Sequence, residues 1–222
     1  VNQTSDTPAG TTSEPLAWRS GRAWLTLGVV AVAGLAGDLA SKYAAFHFIA
    51  GRPVEVVRER VLAAQYLGNL IPPHEPVRVI PHLLDFTLVL NPGAVFGIGA
   101  GKRWFFVGFT MAAMAFALWI FGTWTRSRDR WAHAAVALVI AGGLGNLYDR
   151  VIYACVRDFI HPLPGLEFPK GVPVMGGREV WPYVSNVADL WLLIGIGILI
   201  VRSWRTAKAE SAARAGAGAG TP

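Results

Sequence analysis

The sequence predicts an all-α integral membrane protein. It is a bundle of four transmembrane helices, with a surface amphipathic helix and a small β-rich insertion after the first span. Three observations carry this reading. Of the 222 residues, 53% are hydrophobic and only 15% charged, whereas soluble domains carry about 25% charged residues. The apolar residues gather in four runs, each near the ~20 residues a helix needs to cross a bilayer. The arginines and lysines sit mostly beside those runs, as positive-inside topology or anionic lipid accounts for. The net charge of +6 is therefore a membrane signature and not a sign of nucleic acid binding. Cys155 is the single cysteine, which excludes an intrachain disulfide and a cysteine-based zinc cluster.

Residues 1–17 are polar and rich in Thr, Ser and Pro, a composition expected to stay disordered. Arg19 and Arg22 precede the first apolar span, Trp24–Phe48. Ala31-Val32-Ala33 imitates a leader cleavage site. The run continues through Asp38 and Lys42, too far for a leader, so it reads as a retained helix. Residues 50–90 form a long connection. Within Pro53–Leu70, Val54, Val57, Val61 and Leu62 recur at helix-like spacing with charges between them, which suits a helix lying on the membrane. Two strand-like runs follow Pro72-Pro73, at Val77–Ile80 and Asp85–Leu90. The second span is Trp104–Trp124, and a short loop bearing Arg126, Arg128 and Arg130 leads to the third, Trp131–Leu147. An irregular Pro/Gly-rich loop covers residues 161–185. The fourth span is Asn186–Val201, and Arg202, Arg205 and Lys208 open an Ala/Gly-rich tail. The expected organisation is a disordered cytoplasmic segment at 1–22, one membrane domain at 23–201 and a flexible cytoplasmic tail at 202–222.

Four consecutive spans alternate in direction, and this brings the polar residues together. Asp38 and Lys42 lie late in the first span, Asn91 before the second, Asn146, Asp149 and Arg150 at the end of the third, Asp158 just beyond, and Asn186 and Asp189 at the start of the fourth. All belong to one end of the bundle. The arginine-rich ends are opposite, so the positive-inside rule makes the polar end extracytoplasmic. Ionisable residues at the ends of apolar spans are functional-site candidates by default. Asp38 and Lys42 are four apart and share a helix face, as do Asn146, Asp149 and Arg150 at three and four. Their charges either lock helices together as buried pairs or serve a site.

Asp158 and Asp189 differ, because neither has a lysine or arginine three or four positions away. Two poorly neutralised carboxylates at one place can share a proton, one acting as acid while the other activates water. The alternative is two interfacial carboxylates that face water. Other chemistries lack their residues. Ser41 and Lys42 are adjacent and point about 100° apart on a helix. The sequence contains neither G-x-S-x-G nor H-E-x-x-H. The five histidines have no ligand spacing, and Cys155 has no base beside it.

Five blocks together resemble the lipoprotein signal peptidase (signal peptidase II) family: Asp38-Leu39-Ala40-Ser41-Lys42, Asn91-Pro92-Gly93-Ala94-Val95-Phe96-Gly97, Gly145-Asn146-Leu147-Tyr148-Asp149-Arg150, Val156-Arg157-Asp158-Phe159-Ile160 and Asn186-Val187-Ala188-Asp189. The resemblance implies a four-span aspartyl endopeptidase of the bacterial inner membrane. It would remove the signal peptide from diacylglyceryl-modified prolipoproteins, cutting before the lipidated cysteine, as a monomer among membrane lipids and without metal or cofactor. It implies that Asp158 and Asp189 are catalytic. Asn91, Gly93, Asn146, Asp149, Arg150 and Asn186 would support the site or substrate, with Asp38 and Lys42 beneath. Residues 50–90 would form an extracytoplasmic cradle and surface helix. The chain departs from the family pattern at Ser185, where Phe is usual, and at Leu190, where a small residue is common. The rival reading is a small proton- or ion-conducting protein using its carboxylates as a relay. It lacks the inverted repeats expected of such folds.

Overall fold

The computed structural model describes residues 14–93, 103–169 and 179–218. Residues 1–13, 94–102, 170–178 and 219–222 lie outside the described residues, and with them the end of the Asn91–Gly97 block and the middle of the 161–185 loop. The element order is α1 (Gly21–Phe48), α2 (Arg58–Ala63), β1 (Val77–Ile80), β2 (Leu84–Asn91), α3 (Arg103–Trp124), α4 (Arg130–Ile152), β3 (Val156–Pro162) and α5 (Val187–Gly218). Four of these helices, α1, α3, α4 and the Val187–Ala209 part of α5, are long and apolar enough to cross a membrane. The expected four spans are present.

Helix α4 is the centre of the bundle. It packs against α1, α3 and α5 and is the most buried of the four. Small residues allow this. A methyl group on Gly145 would overlap the Asp38 carboxylate, and one on Gly142 would overlap the Ala188 carbonyl. Close approach through glycine is how helices pack in lipid, where apolar burial supplies no preference between helices. One apolar core, around Phe121, Val136 and Leu27, fills the bundle end that carries the α3–α4 loop. A second, around Phe46, Leu88, Leu90 and Phe159, lies under the sheet at the other end.

The sheet has three antiparallel strands in the order β1-β2-β3. Strand β3 was not anticipated. Its residues Val156–Phe159 are buried almost throughout, so the sequence shows no alternation to mark a strand, and the pairing partner lies more than sixty positions away. Ala154, with φ of +64°, supplies the left-handed residue that ends many helices and turns the chain from α4 into β3.

Several boundaries differ from expectation. The segment expected to be disordered through residue 22 includes residues with defined structure. Leu16 bridges to Arg126, and Ala17 is fully buried in a 3-10 turn, Ala17–Arg19. The proposed surface helix over Pro53–Leu70 shrinks to six residues in α2 plus a 3-10 turn, Leu67–Leu70. Val54 leaves the helical path because its N–H donates to the Phe46 carbonyl at 2.8 Å. Helix α4 continues past Leu147 to Ile152. Helix α5 continues past Val201 to Gly218, where the expected flexible tail is instead helical. Alanine, the strongest helix former, recurs through that stretch.

Candidate active site

The N-terminus of α5 organises the polar cluster. Asn186 precedes the helix, and its Oδ1 accepts the Asp189 N–H at 3.2 Å, while the Asp189 carboxylate accepts the Asn186 N–H at 3.2 Å. This reciprocal pair is a capping box. Its signature, a capping residue followed three positions later by an acid, is present in Asn186-Val187-Ala188-Asp189 and was not read as such from sequence. A third donor of the same helix end, the Ala188 N–H, binds the Asp38 carboxylate on α1 at 2.8 Å. Two carboxylates thus lie against the positive end of α5, where the helix dipole favours them.

The side-chain amides then tie four elements together. Asn186 Nδ2 donates to Asp158 at 2.5 Å and to Asn146 Oδ1 at 3.1 Å. Asn146 Nδ2 donates to the other carboxylate, Asp189, at 2.8 Å. Asn91 Nδ2 donates to Asp158 at 3.0 Å, while its Oδ1 accepts the Gly93 N–H at 2.9 Å. Gly93 has φ of +95°, a conformation that glycine adopts without penalty, and this closes the turn that aims Asn91. Asp158 and Asp189 are therefore both gripped by neutral amides, with Asn186 touching each. Neither has a cation within ion-pairing distance among the described residues.

Strand β3 delivers Asp158, and β2 bends to receive it. Between the pairs Phe86–Ile160 and Val89–Asp158, β2 carries one residue more than β3. Bulges of this kind re-aim side chains beside functional sites. The freed Leu88 N–H is satisfied by His74 Nε2 at 3.1 Å. On the other side, Ser185 exchanges backbone hydrogen bonds with Ile160 at 2.8 Å in both directions. The Ser185 hydroxyl also donates to the Ile160 carbonyl at 3.3 Å, so the departure from the family pattern falls where backbone and side chain together hold β3.

The formal charges resolve differently from the simplest sequence pairing. Lys42 pairs with Asp38 at 2.8 Å and Asp149 at 3.4 Å, all three fully buried, and donates to Asn146 at 3.2 Å. Asp149 does not pair with its neighbour Arg150. It takes Arg157 through Nη2 at 2.8 Å, Nε at 3.2 Å and the backbone N–H at 3.0 Å. Asp149 and Arg150 are successive on a helix and diverge by about 100°. The alternation of β3 sends Arg157 toward Asp149 and Asp158 toward the amides.

Arg150 turns the other way. It donates to the Asn146 carbonyl at 3.2 Å and lies over the Phe106 ring at 5.4 Å, and its Nε is buried without a partner. With Asp189, Asn146, Phe106 and Thr110 it lines a cavity of about 220 Å³ between α3, α4 and α5. An unpartnered guanidinium donor beside a carboxylate is a place for a polar ligand group. A larger cavity, about 900 Å³, lies between α2 and β2 and reaches Pro92 and Arg103.

Burial and the charge of Asp189 push the Asp158 carboxyl up to about 7, against the pull of its two amide donors. Such a carboxyl can hold a proton at neutral pH while a partner carboxylate accepts one. Burial pushes the neighbouring Cys155 thiol up to about 12, which removes it as a thiolate nucleophile. The described residues contain no group of three or more His, Cys, Asp or Glu able to hold a metal ion.

Comparisons with known proteins identify the family. The family model described as Signal peptidase (SPase) II matches residues 30–205. A lipoprotein signal peptidase of Desulfitobacterium hafniense is 34% identical over 144 residues, covering 64% of this chain and 83% of that protein. One of Syntrophotalea carbinolica is 34% identical over 135 residues, covering 60% and 75%. A solved structure described as a bacterial membrane enzyme superposes with a TM-score of 0.55 at 25% identity, covering 85% of this chain and 95% of that one. A second, at 24% identity and TM-score 0.57, covers 87% and 93% and shares the fold. The match spans all four membrane helices and every polar residue of the cluster, and the chain belongs to the signal peptidase II family of bacterial membrane peptidases.

Proposed function

We propose that this chain is an aspartyl endopeptidase that removes the signal peptide from diacylglyceryl-modified prolipoproteins, cutting just before the lipidated cysteine. The observation that carries the reading is the pair Asp158 and Asp189, bridged by Asn186 and with no cation within ion-pairing distance among the described residues. Asp158, the more enclosed, holds the shared proton and is the acid. Asp189, lining the 220 Å³ cavity, is the base. Asp189 takes a proton from water, and the oxygen attacks the scissile carbonyl carbon. Asp158 gives its proton to the carbonyl oxygen, so a neutral tetrahedral diol forms. Proton transfer from Asp189 to the nitrogen then releases the amine of the lipidated cysteine, and the diol returns a proton to Asp158 as the new carboxyl forms. General acid–base catalysis of this type contributes about 10²–10⁴-fold, and neither step calls for a metal.

The other residues take supporting roles. Asn91, Asn146 and Asn186 hold the two carboxyls, and Gly93 shapes the Asn91 turn. Arg150, with its free Nε, binds a substrate carbonyl. Asp38, Lys42 and Asp149 fasten α1, α4 and β3 beneath. The cavity between α3, α4 and α5 gives a membrane-embedded signal helix a lateral route to the carboxylates. The sheet, α2 and the 900 Å³ cavity form the cradle over the substrate. Arg126, Arg128, Arg130, Arg202 and Arg205 at the far end support a cytoplasmic assignment for that end under the positive-inside rule. Both termini are then cytoplasmic, the site faces outward and the enzyme works as a monomer in lipid. The catalytic unit is residues 23–201.

The test is processing of a purified diacylglyceryl-modified prolipoprotein. The wild-type chain should cleave it in EDTA. Asp158→Asn and Asp189→Asn should each lose at least about a hundredfold in rate while remaining folded. Normal processing by either variant would remove that residue from the chemistry.

A further inference from the structure

At the end of the bundle away from the carboxylates lies a cavity of about 580 Å³, between the first turns of α1 and the α3–α4 loop. Arg22, Arg128 and Arg130 line it, with Leu25 and Thr26 on the α1 wall and His133 on the α4 wall. None of the three guanidinium groups has a carboxylate within ion-pairing distance among the described residues. The acids nearby are engaged otherwise. Glu14 accepts from the Ser127 hydroxyl at 3.1 Å and from the Arg128 N–H at 2.6 Å. Asp129 caps α4 through the Ala132 N–H at 3.0 Å and pairs with Arg202. His133 is buried, and its Nε2 bonds to the Arg126 carbonyl at 2.9 Å. It is a fixed wall of the cavity. Helix α1 begins here behind the neutral cap Ser20, so one positive helix end adds to the three cations.

The surroundings are those of a bilayer interface. Trp18, Trp24, Trp124 and Trp131 are exposed around this end, the level at which tryptophan gathers in membranes. From the cavity, Leu25, Val29 and Val32 run along α1 as one exposed apolar stripe, at spacings of four and three that keep them on one face. Positive-inside topology accounts for arginines at this end of the bundle. It does not require arginines from two separate segments to line one cavity with no acid among them.

We propose that this cavity seats the headgroup of an anionic phospholipid. The three arginines hold its phosphate, and one acyl chain lies along Leu25, Val29 and Val32. Basic pockets between membrane helices select anionic lipid in this way. The site is remote from the carboxylate pair, and the inference does not rest on the protease reading.

Native mass spectrometry of the full-length protein tests it, with phosphatidylglycerol, phosphatidylcholine and glycerol phosphate as probes. The wild-type chain should retain phosphatidylglycerol and not the other two. At about fivefold per arginine, Arg128→Gln alone should weaken retention about fivefold. The triple variant Arg22→Gln, Arg128→Gln, Arg130→Gln should weaken it about a hundredfold. Arg128→Gln lies in the loop and gives the answer even if the triple variant does not fold. Arg19→Gln removes the same charge outside the cavity and should leave retention in place. Equal loss from Arg19→Gln, or equal retention of phosphatidylcholine, would show diffuse attraction and overturn the site. Glycerol phosphate binding as tightly as the lipid would make it a soluble-anion site and overturn the lipid assignment.

Discussion

Asp158→Asn should give a protein that no longer cleaves, yet resists alkaline conditions better than the wild type does relative to its own acid stability. Burial first, and then the Asp189 charge, raise the Asp158 carboxyl from 3.8 to about 7. The folded state therefore keeps a proton that the unfolded chain has already released. Where the native state binds more protons, stability falls as pH rises. The contribution is complete below pH about 4 and is lost progressively up to about 7. Three pH units at about 1.4 kcal/mol each make about 4 kcal/mol, an upper figure for a group whose neighbours can relax. Asparagine cannot ionise, so the variant lacks this slope. It has its own cost, because one of the two amide donors, Asn91 or Asn186, now faces an NH₂ group. That cost does not change with pH, so the comparison is between slopes and not absolute stabilities. The assay is thermal denaturation of detergent-solubilised protein from pH 4.5 to 8.5, wild type beside variant. Parallel profiles would refute the reasoning, since they would mean that Asp158 is ionised throughout. In the same window, wild-type cleavage should decline as pH rises through about 7, where the shared proton is lost.

Asp149→Asn should destabilise the protein by about 3–5 kcal/mol, because it leaves the buried Arg157 and Lys42 partly uncompensated. Its melting temperature should fall while some cleavage persists at low temperature, as the variant does not touch the carboxylate pair. Gly145→Ala should cost at least about 1–3 kcal/mol, the usual penalty of overpacking, since the new methyl overlaps the Asp38 carboxylate that caps α5. Gly197→Ala places its methyl in open space within α5 and should hold or slightly raise the melting temperature, since alanine loses less backbone freedom on folding than glycine. Cys155, buried and with its thiol pushed up to about 12, should resist maleimide in the native protein. Cleavage should survive the treatment, and rapid labelling with loss of activity would contradict the packing described.

Much of this protein is legible in its sequence, for reasons that lie in the bilayer. A membrane helix must satisfy its backbone internally and present apolar side chains to lipid, so each span announces itself as an apolar run. Alternation of the spans then brings Asp38, Asn146, Asp158 and Asp189 to one end without any knowledge of packing. The strand runs Val77–Ile80 and Asp85–Leu90 were legible because turn residues bound them. The capping box at Asn186 and Asp189 was also written in the sequence and could have been read from its spacing.

What the tertiary structure decided is which of the gathered charges meet. Spacing puts Asp149 beside Arg150, but the partner of Asp149 is Arg157, delivered by a strand that pairs with β2 from far along the chain. The same strand exposes no alternating pattern, because both of its faces are buried. Sequence also implied a surface helix over Pro53–Leu70, and the fold kept six residues of it. An amphipathic pattern specifies a helix only while nothing else claims its backbone, and here Val54 is claimed by Phe46. The sequence by itself determined the four spans and the end at which the polar residues collect, since both follow from local hydropathy and chain direction. Only the tertiary structure decided that Asp158 and Asp189 are held by amides while Asp38 and Asp149 are held by cations. That division depends on three-dimensional distances between residues on α1, α4, β3 and α5, and no local pattern encodes them.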